Sequence, residues 1–154
     1  MHKHHSHIYN LARNFLRCGL TGWCMEILFT ALCSLRRRNM RLTGTTSLWM
    51  FPIYGSIALL KPVFRLLSRQ PLLVRGFTYM SMIFSAEFAC GQLLKRRRLC
   101  PWDYSRSRYN IGKVIRLDYA PYWFTAGLLF EKLLLHTQLK DETARISSRS
   151  VTDP

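Results

Sequence analysis

The chain has 154 residues, about one domain, with 23 Lys and Arg against 8 Asp and Glu and a formal net charge of +15. The charge suggests nucleic acid as a partner, but the basic residues cluster at the ends of apolar runs, where they would meet anionic lipid headgroups, so we expect no nucleic acid. Five cysteines without a CxxC pair argue against a disulfide framework or a zinc site.

The first fifteen residues are polar and rich in histidine. A His-rich segment can bind a transition metal weakly, but we interpret residues 1–15 as a solvated tail. They do not form a signal peptide, because the apolar segment that follows is long and ends in arginines instead of a small-residue cleavage site.

Residues 18–35 are almost continuously apolar, with a single charge at Glu26, and arginines 36–38 follow them. As a helix this segment is about 27 Å long, which fits the hydrocarbon core of a bilayer. Gly19, Gly22 and Glu26 share one helix face, where the glycines permit close approach of another helix. We therefore predict a membrane span in which Glu26 faces protein.

Residues 42–60 contain no charge and form the second predicted span. Its first part, 43–47, is rich in Thr and Ser, and Pro52 would break a helical hydrogen bond to the Leu48 carbonyl. Two structures fit: a kinked helix, which we expect, or a short re-entrant segment that becomes a helix after Pro52. In both, irregular backbone here and carboxylates elsewhere predict an interior site.

Residues 61–75 are too charged to span and form a connector with a short amphipathic helix. The third predicted span, 76–94, again carries one charge, Glu87, before the basic run 95–98. With the basic runs at the interface, Glu87 and Glu26 would both lie about 12 to 15 Å inside it.

Residues 99–118 are the longest connection between spans, with a compact CPWDYS group at 100–105. Trp102 and Tyr104 suit the headgroup layer. Asp103 is either a turn or cap residue paired with a nearby Arg or a functional acid, and both interpretations stay open.

The fourth predicted span runs over 119–135, or as far as 139, and starts with an aromatic belt. Glu131 follows Gly127 by four residues, as Glu26 follows Gly22. Counted from the start of the span, Glu131 lies about 20 Å deep. Residues 140–154 are polar and we expect a mobile tail.

These segments together predict an all-α fold, an integral membrane bundle of four transmembrane helices in residues 16–139. We expect a multi-pass protein of a plasma or inner membrane, in contact with the bilayer and its anionic headgroups. Four short helices enclose little space, so we expect a homo-oligomer or a partner membrane subunit.

The chain resembles a known family in three motifs: WxxE at Trp23–Glu26, PIYG at Pro52–Gly55 and WDYS at Trp102–Ser105. Over roughly 19–135 it is similar to the small bacterial membrane proteins of the CmpB-like ABC transporter permease family, related to vertebrate transmembrane protein 229. The resemblance implies transport, but the chain has no P-loop and four spans are few for a permease acting alone.

Two functions follow. The first is a transporter or permease-like subunit whose carboxylates line an interior site for protons, a cation or a cationic solute; its alternative is a non-catalytic scaffold or lipid-interacting protein. We expect no enzyme, cofactor or metal, because the sequence has no nucleophile pair or metal-ligand spacing. The candidate substrate- or ion-binding residues are Glu26, Glu87, Glu131, Pro52, Tyr54, Trp102, Asp103 and Tyr104.

Overall fold

The structure is a computed structural model that describes the backbone of residues 2–36 and 38–150 and the side chains of 8–36 and 38–136. It is mostly helical, which confirms the predicted class, and it divides after Pro62 into two compact units. The helices are α1 His2–Arg36, α2 Met50–Gly55, α3 Lys61–Leu67, α4 Leu72–Arg96 and α5 Ala120–Ser150, with 3-10 turns at Ser56–Leu60 and Leu117–Tyr119. A small antiparallel hairpin joins β1 Asn110–Ile111 to β2 Ile115–Arg116.

Helix α1 contains the first predicted span and is longer than it. It begins at His2, so residues 2–15, predicted as a tail, continue the helix; the side chains of the first seven residues, including most of the His-rich group, lie outside the described residues. After α1, Arg38 adopts a left-handed φ of 58°. The Asn39 N–H then bonds to the Ser34 carbonyl at 3.1 Å, a closure typical of helix C-termini.

The predicted kinked helix over 42–60 is wrong, because residues 42–47 are not helical. They are rich in Thr, with one Gly, and these residues form helices poorly. Helix α2 begins only at Met50, which places Pro52 in the first turn. Its missing N–H would have no helical partner there, so the proline does not kink the helix.

In the first unit, α2 packs antiparallel to α1 through aromatic rings and glycines. The Phe51 ring lies 5.0 Å from the Trp23 ring and covers Gly19, while Gly55 lies against Phe15 farther along. A Cβ at Gly22 would overlap the Tyr54 ring. The predicted glycine face of α1 therefore does admit a close neighbour, and that neighbour is α2.

In the second unit, α4 and α5 pack antiparallel and contain the third and fourth predicted spans. Gly127 lies against Tyr79. The Tyr79 ring also meets the Phe64 ring of α3 at 4.8 Å. Helix α5 continues to Ser150 through the segment expected to be a tail; the side chains beyond 136 lie outside the described residues. Helix α4 ends as α1 does, with a left-handed φ of 57° at Arg98.

The connection after α4 is a folded structure that the sequence analysis missed. Its hairpin turns through Gly112 and Lys113, whose φ angles are both positive, 59° and 63°. The turn is held against the last turns of α4, because Val114 packs on Gly91 and Lys95 Nζ donates to the Gly112 carbonyl at 3.4 Å. The connection therefore folds back along α4.

Two helical stretches of the described chain are long and apolar enough to cross a membrane, Ile8–Arg36 and Met50–Leu67. Only 17% and 22% of their apolar windows are buried inside the structure. A core helix of a soluble protein would be mostly buried, so these exposed apolar surfaces fit a lipid environment.

Candidate functional site

Glu26 lies midway along α1 beside the segment that returns from the end of the helix. Thr46 Oγ1 donates to Glu26 Oε2 at 2.6 Å. The Glu26 side chain is half-buried and Thr46 is exposed. The carboxylate therefore has a hydroxyl partner from the connection.

The segment 42–47, which is neither helix nor strand, runs back along α1. The Thr45 N–H donates to the Thr30 hydroxyl at 2.8 Å, and the Trp23 indole donates to the Ser47 carbonyl at 3.0 Å. A Cβ on Gly44 would collide with the Ile27 carbonyl oxygen. These contacts place residues 44–47 beside residues 23–30 of α1. Glu26 lies about 18 Å before Arg38 along the helix axis.

Glu87 occupies the matching place on α4. The Tyr104 hydroxyl and the Trp123 indole are both directed at its carboxyl. Trp123 Nε1 and Glu87 Oε2 are each buried without a hydrogen-bond partner among the described residues. Trp123 is only 8% exposed. The indole thus faces the carboxyl without completing a bond to it.

The two carboxyl sites share one construction. Glu26 lies twelve residues before Arg38, and Glu87 lies eleven before Arg98, and both arginines close their helix in the left-handed conformation. In each unit the following connection folds back about three helical turns and brings a hydroxyl to the carboxyl. Ion pairs among the described residues involve neither Glu26 nor Glu87.

Glu131 is placed differently. It is 4% exposed and forms an ion pair with Arg75, whose Nη1 lies 3.0 Å from Glu131 Oε1. Arg75 lies twelve residues before Glu87 on α4, about 18 Å along the helix, so Glu131 is not brought to Glu87. The sequence does not identify Arg75 as the partner of Glu131, because Arg75 is the last basic residue of the segment 61–75, which was predicted to be a connector.

Trp102, Asp103 and Tyr104 have separate tasks in the folded connection. Trp102 Nε1 donates to the Val114 carbonyl at 3.0 Å and so holds the hairpin. Asp103 is exposed and accepts from the Ser105 N–H at 3.0 Å and the Ser105 hydroxyl at 2.9 Å. This geometry matches the interpretation of Asp103 as a turn residue. Its partner is Ser105 and not the predicted arginine.

Hydrogen bonds and nearby positive charge both lower the pKa of Asp103. The bonds from Ser105 lower the pKa of Asp103 below its ordinary value, and the positive charges of Lys95 and Lys113 lower it further. The Cys100 thiol, by contrast, has a pKa raised by burial. Asp103 is therefore an ionised acid in a basic surface.

Pro52 and Tyr54 lie in α2. Pro52 is exposed at the start of the helix and Tyr54 is buried against Gly22. Their placement explains the PIYG motif as a helix start followed by a packing residue. The described part of the chain contains no group of three or more His, Cys, Asp or Glu side chains suited to a metal ion.

Chemically, the arrangement offers two carboxylates that can take up and release a proton or bind a cation. Each has a hydroxyl close by that can donate to the ionised form. Non-helical backbone accompanies Glu26, as it does in membrane proteins where irregular backbone lines a cavity.

No solved structure matches the chain. The resemblance to CmpB-like proteins is confirmed by a family model, while the relation to vertebrate transmembrane protein 229 stays a prediction. That model, described as "Putative ABC-transporter type IV", matches residues 13–152, and the chain therefore belongs to this family.

Proposed function

We propose that the protein is a membrane-embedded subunit of a transporter, in which Glu26 and Glu87 take up and release protons or bind a cation. The observation that carries the proposal is the non-helical segment 42–47, which runs along α1 and brings Thr46 to Glu26. In lipid, a segment of this kind is tolerated only where it is covered by protein or lines a watery space.

The surroundings of each carboxyl support exchange of a proton or cation over a purely structural role. A carboxyl with a structural role can be paired with a cation, as Glu131 is with Arg75. Glu26 and Glu87 have hydroxyl partners instead, and Glu87 keeps one buried oxygen without a partner among the described residues. We therefore assign Glu131 a supporting role in holding α4 to α5.

The family and the apolar stretches support a membrane location. We propose that α4 and α5 add two spans to those at Ile8–Arg36 and Met50–Leu67, giving a multi-pass protein. Two pairs of helices enclose little volume, so we propose that further copies of the chain, which the purified protein can supply, complete the transport path.

The test is proton-coupled cation movement in liposomes. Purified protein is reconstituted with the pH dye pyranine inside, and a gradient of K⁺, Na⁺ or tetramethylammonium is imposed while internal pH is recorded. We expect a pH change with at least one of these cations, and we expect Glu26→Gln or Glu87→Gln to abolish it, because an amide does not ionise and carries no negative charge to attract a cation.

Asp118→Asn is the matched control, since it makes the same acid-to-amide change at an exposed carboxyl paired with Arg116. It should leave the flux unchanged. Flux that survives both glutamate changes, or a parent protein that moves none of the three cations, would contradict the proposal.

A further inference from the structure

The hairpin of the second unit presents two different faces. Val114 and Ile115 are 1% and 7% exposed and form part of the core. Tyr109 and Ile111 point the other way and are 57% and 47% exposed. The hairpin therefore carries apolar side chains on a surface that the rest of its unit leaves uncovered.

The same end of the unit is strongly basic. Between Lys95 and Lys113 the sequence has seven basic residues and one acid, Asp103. The basic side chains are all exposed, at 95–98, Arg106, Arg108 and Lys113. Ion pairs in the described part of the chain involve none of them. The hairpin and the end of α4 thus form one surface of positive charge, which we call the basic hairpin surface.

Contacts fix this surface in place. The Lys95 ammonium donates to the Gly112 carbonyl, and a Cβ on Gly112 would meet Phe88 and Gln92 of α4. The Trp102 indole holds the Val114 carbonyl. The cations of the hairpin and those of α4 are consequently held together at one end of the helix.

We infer that the basic hairpin surface docks on anionic phospholipid headgroups, with Arg106, Arg108 and Lys113 near the phosphates and Tyr109 and Ile111 in the interfacial layer. Positive charge next to exposed Tyr and Ile fits this layer, where phosphate oxygens lie beside acyl chains. A soluble polyanion such as RNA would match the charge but leave Ile111 and Leu99 in water. The inference depends on the membrane location and not on transport.

The experiment places a reporter on the hairpin of the full-length protein. Tyr109→Trp adds an indole at an exposed position, and its contribution is the difference in fluorescence from the parent. The protein is reconstituted in phosphatidylcholine membranes that contain brominated phosphatidylglycerol or brominated phosphatidylcholine, whose bromines quench nearby indoles. We expect stronger quenching by the anionic lipid at low salt and a smaller preference at high salt, because salt screens the charges.

Neutralisation of the hairpin cations tests the cause. The triple change Arg106→Gln, Arg108→Gln and Lys113→Gln should lower the preference for the anionic lipid by about fivefold per cation. The matched control removes three exposed charges elsewhere in the unit, by Arg65→Gln, Arg69→Gln and Lys132→Gln, and should leave the preference within twofold.

Three results would overturn the inference. The first is equal quenching by the two lipids in the Tyr109→Trp protein. The second is an equal loss of preference in the two triple variants. The third is a reporter that responds to the soluble polyanion heparin while it does not distinguish the lipids, which would assign the surface to a polyanion in solution.

Discussion

The two units bring a hydroxyl to a helical carboxyl in different ways. In the first unit a short non-helical segment does so, and Thr46 completes a 2.6 Å bond to Glu26 from an exposed position. In the second unit a longer connection with a hairpin does so, and Glu87 lies among aromatic rings with Trp123 almost fully buried. Both glutamates are half-buried, but the oxygen Oε2 of Glu87 is fully buried.

The difference shows which features the carboxyl site requires. The helix length between glutamate and left-handed arginine is nearly the same in both units, whereas the connection and its partner residues differ. The second unit alone adds a described ion pair, Arg75–Glu131, in its helix interface. We conclude that the hydroxyl-capped carboxyl is the shared element and that the ion pair serves packing.

The largest effect is expected from breaking that ion pair. Arg75→Gln leaves Glu131 buried without its cation and should lower the free energy of unfolding by about 3 to 5 kcal/mol. Thermal or SDS unfolding of the purified protein in detergent measures this. The control is Arg69→Gln, an exposed arginine in the same unit.

A combined Arg75→Met and Glu131→Leu variant separates packing from charge. Since an apolar pair of similar volume can replace a buried ion pair, it should recover most of the lost stability. Equal stability of Arg75→Gln and Arg69→Gln would contradict the structural role of the pair.

Loss of a capping hydroxyl should have a smaller effect. Thr46→Val removes the hydroxyl that donates to Glu26 and should lower the free energy of unfolding by about 1.5 to 3 kcal/mol if the carboxyl is ionised. Thr46→Ser keeps the hydroxyl and should be close to the parent in stability. Tyr104→Phe should lower the free energy of unfolding by at least as much as Thr46→Val, because the Glu87 carboxyl has less access to water. Equal free energies of unfolding for Thr46→Val and Thr46→Ser would contradict a stabilising bond from the hydroxyl to Glu26.

Asp103 gives the smallest effect, and one that depends on pH. Because its folded pKa is below the ordinary value, the ionised acid contributes stability above the ordinary pKa, and this contribution is lost as pH falls through the folded value. Ser105→Ala should move the Asp103 pKa back upward, as read by carboxyl NMR. A pKa that does not change would show that Ser105 is not the main cause.

Helices α1 and α4 could be predicted from sequence because each is marked by a long apolar run and a basic end. Residues 18–35 and 76–94 lie inside α1 and α4, and the pairing of one glutamate with one basic run was visible in both. The glycine face of α1 was also predicted, and Gly22 does lie against a neighbour, Tyr54. These features depend on local pattern.

Features that depend on distant partners were missed. Arg75 and Glu131 are far apart in sequence, so nothing local identifies them as a pair. The prediction of a kinked helix at Pro52 was wrong because the Thr-rich backbone before it bonds to α1 instead of continuing a helix. Such contacts between distant residues are not visible in the local sequence. A signal for the hairpin was present in Asn110 and Gly112 between apolar residues, but the interpretation of 99–118 as a membrane connection concealed it.

The most direct test of the central claim is water access to the two carboxyl sites in membranes. In a variant with its cysteines replaced by alanine, single changes Thr46→Cys, Tyr104→Cys and Leu28→Cys are compared in liposomes for reaction with a membrane-impermeant thiol reagent. Leu28 is an exposed apolar residue of α1 that lies two residues after Glu26, about half a turn around the helix. We predict the fastest labelling at position 46, slower labelling at 104, where the carboxyl site is more buried, and the slowest labelling at 28; equal rates at 28 and 46 would contradict water access to the site.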